Sequence, residues 1–428
     1  MRHEKATVLI IGGGVIGSAL AMHLARLGVS GVRVVDPDLE GPLSSSELNA
    51  GGVRATMEHP LNIALSKRSI EYFETVADEV GFRACGYLWL RSPGAMEAAE
   101  RSARRQLAAG WPVETLGPEE IRSRWGFLDR LDGVVGAHFG RRDGLINPNL
   151  LKLHFRAEAR KAGAVFDDRT WVRGCVRAGA GLEVQCSRWA AEDPQGEELR
   201  RAGLLAEHGP AAPGADNSIN LVYDADRVVN CAGPWAPRVA EALGYFCPSQ
   251  PLRRMIALFE SREVDLSPYG MIVDTSGVYF HPEATFGLAG VATPERPGID
   301  FSYPGESFFE EWIWPALYER SSGFERLRHR TGWAGLYEVS PDHSAIVGPV
   351  ASAQTGSSGF SERIFEAHSF SGHGVMQSYA VGLALAERIV LGRYESCDLG
   401  PLAGSRFGAA GVEDAGDRSR WVVEGAVI

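Results

Sequence analysis

The sequence predicts an α/β fold, and three observations predict it. Thr7–Ile11 is a short, unbroken apolar run, β-rich, with the character of a strand buried on both faces. It stops at Gly12-Gly13-Gly14-Val15-Ile16-Gly17, which opens an Ala/Leu-rich segment ending at Gly28, as a helix does. Val32–Val35 is then a second β-rich run, closed by an acid, Asp36, nineteen residues after Gly17. Strand, glycine turn, helix, strand and acid in that order make a Rossmann-like, dinucleotide-binding unit.

Each glycine has a mechanical reason. Gly12 permits the tight turn, Gly14 lets a pyrophosphate approach the backbone, and Gly17 lets helix and strand come close. The helix N-terminus offers free N–H groups and a positive dipole end to phosphates. Asp36 can accept hydrogen bonds from ribose hydroxyls. The motif alone does not choose between NAD and FAD.

At 428 residues the chain is about three times the common domain size. Two or three domains fit that length, as does one large α/β unit with an inserted lobe. Hydrophobic residues at 45% and charged residues at 23% exclude a disordered or fibrous chain. No run approaches the length of a membrane-spanning helix, and a net charge of −11 argues against nucleic acid. The six cysteines form no CxxC pair, which suggests neither a metal site nor a disulfide framework. With no secretion signal before Thr7, free thiols in a cytoplasmic setting are expected.

Four later segments carry chemistry. Ser44–Arg54 is a small-residue loop whose Ala50-Gly51-Gly52 turn lets backbone come close to something flat or bulky. Val228–Trp235 is a strand entering a turn at Ala232-Gly233. Gly332–Tyr337 leads to a turn at Pro341-Asp342 and a strand-like Ile346–Pro349. Ser369–Met376 is a glycine loop that opens a helix over roughly 377–391, with Val381, Leu385 and Ile389 on its apolar face. The polar stretch 187–222, rich in Pro, Gly and Asp, is expected to be a surface insertion, partly disordered.

With the N-terminal motif, these segments resemble the D-amino-acid oxidase superfamily of FAD enzymes over nearly the whole chain. The sarcosine oxidase, glycine oxidase and dimethylglycine dehydrogenase type is nearest. Gly86–Leu90, Asp274–Phe280, Gly392-Arg393-Tyr394 and Asp398-Leu399 resemble one branch, FAD-dependent oxidoreductase-domain proteins that include a mitochondrial assembly factor of respiratory complex I. The resemblance implies a discontinuous FAD domain from 1–84, 144–245 and 335–428. It implies a mixed-sheet substrate lobe, inserted as 85–143 and 246–334. It also assigns cofactor contacts to Ser45, Ser46, Asn49, Ala50, Gly51, Gly52, Ala232, Gly233, Gly372, His373, Gly374 and Val375. The resemblance implies that relatives with covalent flavin use a cysteine at the place held here by Gly335 or a histidine near Asn49, and neither residue is present, so noncovalent FAD is expected.

The implied reaction takes a hydride from the carbon beside a neutral amine to flavin N5, leaving an imine that hydrolyses. Arg54 matches the arginine that binds the substrate carboxylate in sarcosine oxidase-like members. Two features depart from the pattern. Met376 and Gln377 stand where those members place a second, lysine contact. His281 replaces arginine in Tyr279-Phe280-His281-Pro282, as a softer anchor, a base or a polar wall. Tyr279 and Trp333 are either pocket or core residues. The expected substrate is an amine, an amino acid or a larger N-alkyl amino acid.

The acceptor is O2, a quinone or an electron-transfer flavoprotein. No lysine follows Lys161, and Arg253 and Arg254 are expected to be packed or paired, so the enzyme is expected to be a sluggish oxidase. Two other readings stand beside this one: a same-fold flavoprotein acting as a binding or assembly factor, and an NAD dehydrogenase.

Overall fold

The computed structural model of the protein describes residues 2–178, 181–189, 194–206, 219–351, 354, 363–408 and 418–425. The apolar run at Thr7–Ile11 is the buried end of a longer strand, Arg2–Ile11. That strand lies at the centre of a sheet, parallel to Ile219–Asn230 on one side and Val32–Val35 on the other. Val165–Asp167 extends the sheet past Val32–Val35, and Ile364–His368 extends it past Ile219–Asn230, both parallel. Ile346–Pro349 closes the second edge antiparallel.

Four helices, Val15–Arg26, Pro60–Thr75, Pro148–Lys161 and Gly374–Leu391, cover one face and share a core with Val8 and Ile10. Helices Val15–Arg26 and Gly374–Leu391 cross closely at Gly382, where a Cβ would stand 3.0 Å from the Ala19 backbone. The hairpin Thr170–Ala178/Gly181–Arg188 and the helix Ala236–Ala242 cover the other face, against Leu9, Ile11 and Val35. Burial on both faces is why the central strand shows no polar alternation.

A second sheet runs in the order Arg328–Val339, Gln250–Glu260, Phe286–Val291, Tyr279–Glu283, Met271–Val273, Tyr87–Arg91, Gly136–Gly140, Val113–Leu116. Every pairing is antiparallel except Met271–Val273 with Tyr87–Arg91. Its strands come from residues 87–140 and 250–339, and Arg328–Val339 runs unbroken through position 335. The period of two sorts its faces. Leu88 and Leu90 join an outer core with Phe280, Phe308 and Phe324, whereas Tyr87 and Trp89 join Ile256, Met271 and Tyr279 on the inner face.

Within 187–222, where a surface insertion is expected, the described residues form regular elements, and residues 190–193 and 207–218 lie outside the description. Gly181–Arg188 and Ile219–Asn230 are paired strands of the first sheet, and Pro194–Leu205 is a helix. Leu204 packs with Trp171 and the buried Trp189, and Trp235 donates its Nε1 proton to the Leu204 carbonyl at 2.9 Å. Composition misled because the apolar residues are few and large. The Gly209–Gly214 stretch lies outside the described residues.

Candidate functional site

A long cleft separates the two sheets and encloses about 2030 Å³, its open mouth included. It begins at the glycine turn. Gly12 has φ +106°, and a Cβ there would meet the Cys231 carbonyl oxygen at 2.3 Å. A Cβ on Gly17 would meet the Gly12 carbonyl oxygen at 1.9 Å. Gly14 is different: a Cβ there would approach only the Ser46 Oγ, at 3.4 Å, and would otherwise point into space. The helix N-terminus at Val15 is therefore bare on the cleft side, apart from the Val15 N–H, which donates to Ser46 Oγ at 3.1 Å.

Asp36 lines the same end. It accepts the Gly13 N–H at 2.6 Å and the Asp38 N–H at 2.7 Å. Burial nevertheless pushes its carboxyl up to about 6. Lys152 pairs with Glu47, and Arg200 with Asp38, so flanking charges here are largely matched. Arg156, a residue sequence reasoning did not single out, donates to the carbonyls of Gly13 and Leu39 and pins the turn from below.

The Ser44–Arg54 loop bridges the cleft's length. Ser45 donates to the Leu336 carbonyl at 2.6 Å, and Asn49 Oδ1 accepts the Gly51 N–H at 2.7 Å. The close approach expected at the Ala-Gly-Gly turn is made by protein: a Cβ on Gly52 would meet the Tyr87 hydroxyl at 1.9 Å. Arg54, 2% exposed, donates to the Thr56 carbonyl at 2.7 Å and lies over the Trp89 ring. Its Nη2 also meets His373 Nε2 at 3.3 Å. A guanidinium can only donate, so Nε2 accepts and the imidazole proton sits on Nδ1.

His373 precedes the helix Gly374–Leu391, whose N-terminus with Gly372 and Val375 faces the cleft. Gly372, at φ +90°, leaves room for the Tyr337 ring, which a Cβ would meet at 2.5 Å. Beneath the second sheet the cleft becomes a chamber walled by Tyr87, Tyr279, Tyr337, Arg54 and Arg254. Burial raises all three phenols against the pull of the two guanidiniums, so each stays a hydrogen-bond donor.

The structure thus gathers most residues singled out from the sequence on one cleft: Gly12, Gly14, Asp36, Ser45, Ser46, Asn49, Ala50, Gly52, Arg54, Ala232, Gly233, Tyr279, Gly372, His373, Gly374 and Val375. Gly17 and Gly51 stand behind it, in the packing beneath the turn and against the Ile146 carbonyl. His281 is not among the residues that line the cleft. It shares a strand face with Tyr279 but lies two residues, about 7 Å, further along, where its Nδ1 donates to the Pro282 carbonyl at 2.8 Å. Burial pushes its imidazole down to about 4, so it is neutral. Trp333 also stands off the cleft, its Nε1 donating to the Leu48 carbonyl at 3.0 Å.

Sequence reasoning missed Tyr87, Tyr337 and Glu338 as site residues, and read Arg254 as packed or paired. All four lie on strands, where the period of two gives a face but not the neighbour across the cleft. Glu338 is buried beside Gly233, where one oxygen accepts the Phe370 N–H at 3.4 Å while the other has no partner. Burial pushes its carboxyl up to about 7.

The bare helix end, the free face at Gly14, the acid at Asp36 and the unpartnered Glu338 oxygen fit a nucleotide-linked cofactor lying along the cleft. Comparison with known proteins says which. The chain is 27% identical over 435 residues to FAD-dependent oxidoreductase domain-containing protein 1 of Bos taurus, covering 94% of this chain and 85% of that one. It is 27% identical over 267 residues to mitochondrial dimethylglycine dehydrogenase of Homo sapiens, 58% of this chain and 26% of that protein. Among solved structures, L-proline dehydrogenase from P. horikoshii superposes with a TM-score of 0.77 at 22% identity, covering 94% of this chain and 98% of that one. A family model described as FAD dependent oxidoreductase matches residues 7–388. That match takes in the glycine turn and nearly all of both sheets and of the helix Gly374–Leu391, and the chain belongs to the DAO family of FAD-dependent oxidoreductases.

Proposed function

We propose that the protein oxidises the C–N bond of an amine or N-alkyl amino acid, giving an imine. The observation that carries this reading is the continuity of the cleft, from the phosphate-binding turn to a chamber of phenols and guanidiniums. Bound FAD supplies the two-electron acceptor. Gly12, Gly14 and the helix end at Val15 would hold its pyrophosphate, Asp36 its ribose, and the turn Gly372–Val375 its ring end.

The chain's own groups do the positioning. The three buried tyrosines exclude water and donate hydrogen bonds. Arg54 and Tyr279 wall the substrate, and Arg54 fixes the His373 tautomer. Noncovalent attachment is part of the proposal, because the two positions expected to carry a link are Gly335 and Asn49. We place the protein in a reducing, cytoplasmic setting on the strength of six free cysteines. Among the described residues, no helix is long and apolar enough to cross a membrane.

The test is anaerobic. Purified protein is mixed with a panel of amines and amino acids, and loss of the yellow band is followed. Bleaching by at least one amine is expected. Full visible absorbance with no bleaching across the panel would favour a binding or assembly role. Acid precipitation should release a yellow supernatant from a colourless pellet.

A further inference from the structure

Arg253 and Arg254 are adjacent on the strand Gln250–Glu260 and so point to opposite faces. Arg253 fulfils the expectation of a paired guanidinium: it bonds Glu295 at 2.9 Å and Asp300 at 2.9 Å, and donates to the Ser302 carbonyl at 3.0 Å. Arg254 does not. It lines the chamber, with its guanidinium 5.3 Å from the centre of the Tyr337 ring. Its Nη1 donates to the Arg253 carbonyl at 3.0 Å, and its Nε is buried with no partner. Among the described residues it meets no carboxylate. Its strand partner across the ladder is Gly335, which puts no side chain beside it.

A guanidinium is costly to hold near low-dielectric walls without a counter-charge. Here the walls are phenols that burial keeps neutral, and they cannot supply one. The Tyr337 ring and the bond to the Arg253 carbonyl orient the planar fork, whose remaining N–H groups can receive a carboxylate through two parallel bonds. Arg54, the residue expected from the sequence, is placed differently, since it already donates to the Thr56 carbonyl and meets His373.

We propose that Arg254 is the residue that binds the substrate's carboxylate and selects amino acids over simple amines, while Arg54 acts through its charge and through His373. This rests on the oxidation proposed above. The probe is benzoate, with benzamide as its neutral counterpart. Binding is followed by the visible difference spectrum of the holoprotein and, independently of the flavin, by calorimetry. Native protein should bind benzoate saturably and benzamide more weakly. Arg254→Gln should weaken benzoate at least 10-fold and leave benzamide unchanged, with Arg254→Lys in between because it keeps charge but not the fork.

With active substrates, Arg254→Gln should raise KM for amino acids far more than it lowers kcat, and should narrow the preference for acids over their amides. Native-like benzoate affinity in Arg254→Gln overturns this inference, as does a native protein that binds benzoate no better than benzamide. A panel of amines that fails to bleach, with benzoate binding intact and Arg254-dependent, sinks the oxidation alone.

Discussion

Gly14 and Gly17 sit three residues apart in one turn, and a side chain would do different harm at each. At Gly17 a Cβ would lie 1.9 Å from a backbone oxygen that has nowhere to go. Gly17→Ala should cost about 3 kcal/mol or prevent folding, read as soluble yield and Tm. At Gly14 the space is open, so Gly14→Val should fold, keep near-native far-UV circular dichroism and purify colourless. A yellow Gly14→Val protein with full FAD would contradict the cradle. Glu338 gives a pH test. Its folded carboxyl sits near 7 against an ordinary value near 4.5, raised by burial. Its contribution is fully present below about pH 4.5 and lost as pH rises through about 7. Glu338→Gln should therefore gain on the native protein between pH 5 and pH 8, by roughly 1–3 kcal/mol from a fully buried group, seen as a converging or reversing Tm difference. Residues of this kind were legible only where backbone demanded them. The three glycines and Asp36 announce themselves by spacing, because a turn and a helix end are local. Glu338 and Arg254 do not, because each owes its state to what faces it across two sheets.

Elements show the same division. The helices at Val15 and Gly374 could be read from apolar periodicity and glycine boundaries, and their observed starts differ from expectation by one to three residues. The helix Pro194–Leu205 could not, because a few large contacts rather than a stripe hold it. Nor could the clasp on the Pro341–Asp342 turn. Arg406 bonds both Asp342 oxygens, at 2.8 and 2.9 Å, and the Val422 N–H joins Asp342 at 2.9 Å. The pair is almost wholly buried. Arg406→Met should cost about 3–5 kcal/mol, because it leaves a buried carboxylate uncompensated. A thermal melt unchanged from native would mean that the clasp carries no stability.

For the whole molecule, electron flow follows from where cations lie. Lys152 is the single lysine lining the described cleft, at the nucleotide end and paired with Glu47. Arg254 lines the chamber and meets no carboxylate among the described residues, where the sequence reading expected it to be packed or paired. The expected slow reaction with oxygen rested on both arginines being packed or paired, so with Arg254 on the chamber wall the recovery should depend on it. Protein reduced anaerobically and mixed with air-saturated buffer should regain its yellow band more slowly in Arg254→Gln than in the native chain, since positive charge stabilises superoxide as it forms. Reoxidation in air as fast as turnover would make the protein an oxidase. The overall architecture was readable because repeated strand–turn–helix patterns determine an α/β sheet. The chamber was not, because its walls come from five separated stretches.

That scattering has a consequence for how the protein is made. The first strand lies between partners at residues 32–35 and 219–230, and the helix that opens the phosphate turn is covered by residues 374–391. A ribosome releases the cradle about 350 residues before the helix that covers it. Until the helix Gly374–Leu391 emerges, the parts of Val15–Arg26 and Pro60–Thr75 that pack against it lack their partner, and the ring end of the cleft is incomplete. Flavin capture should therefore wait for that helix, and nascent chains stalled before residue 374 should bind none, leaving an apolar surface for chaperones to hold.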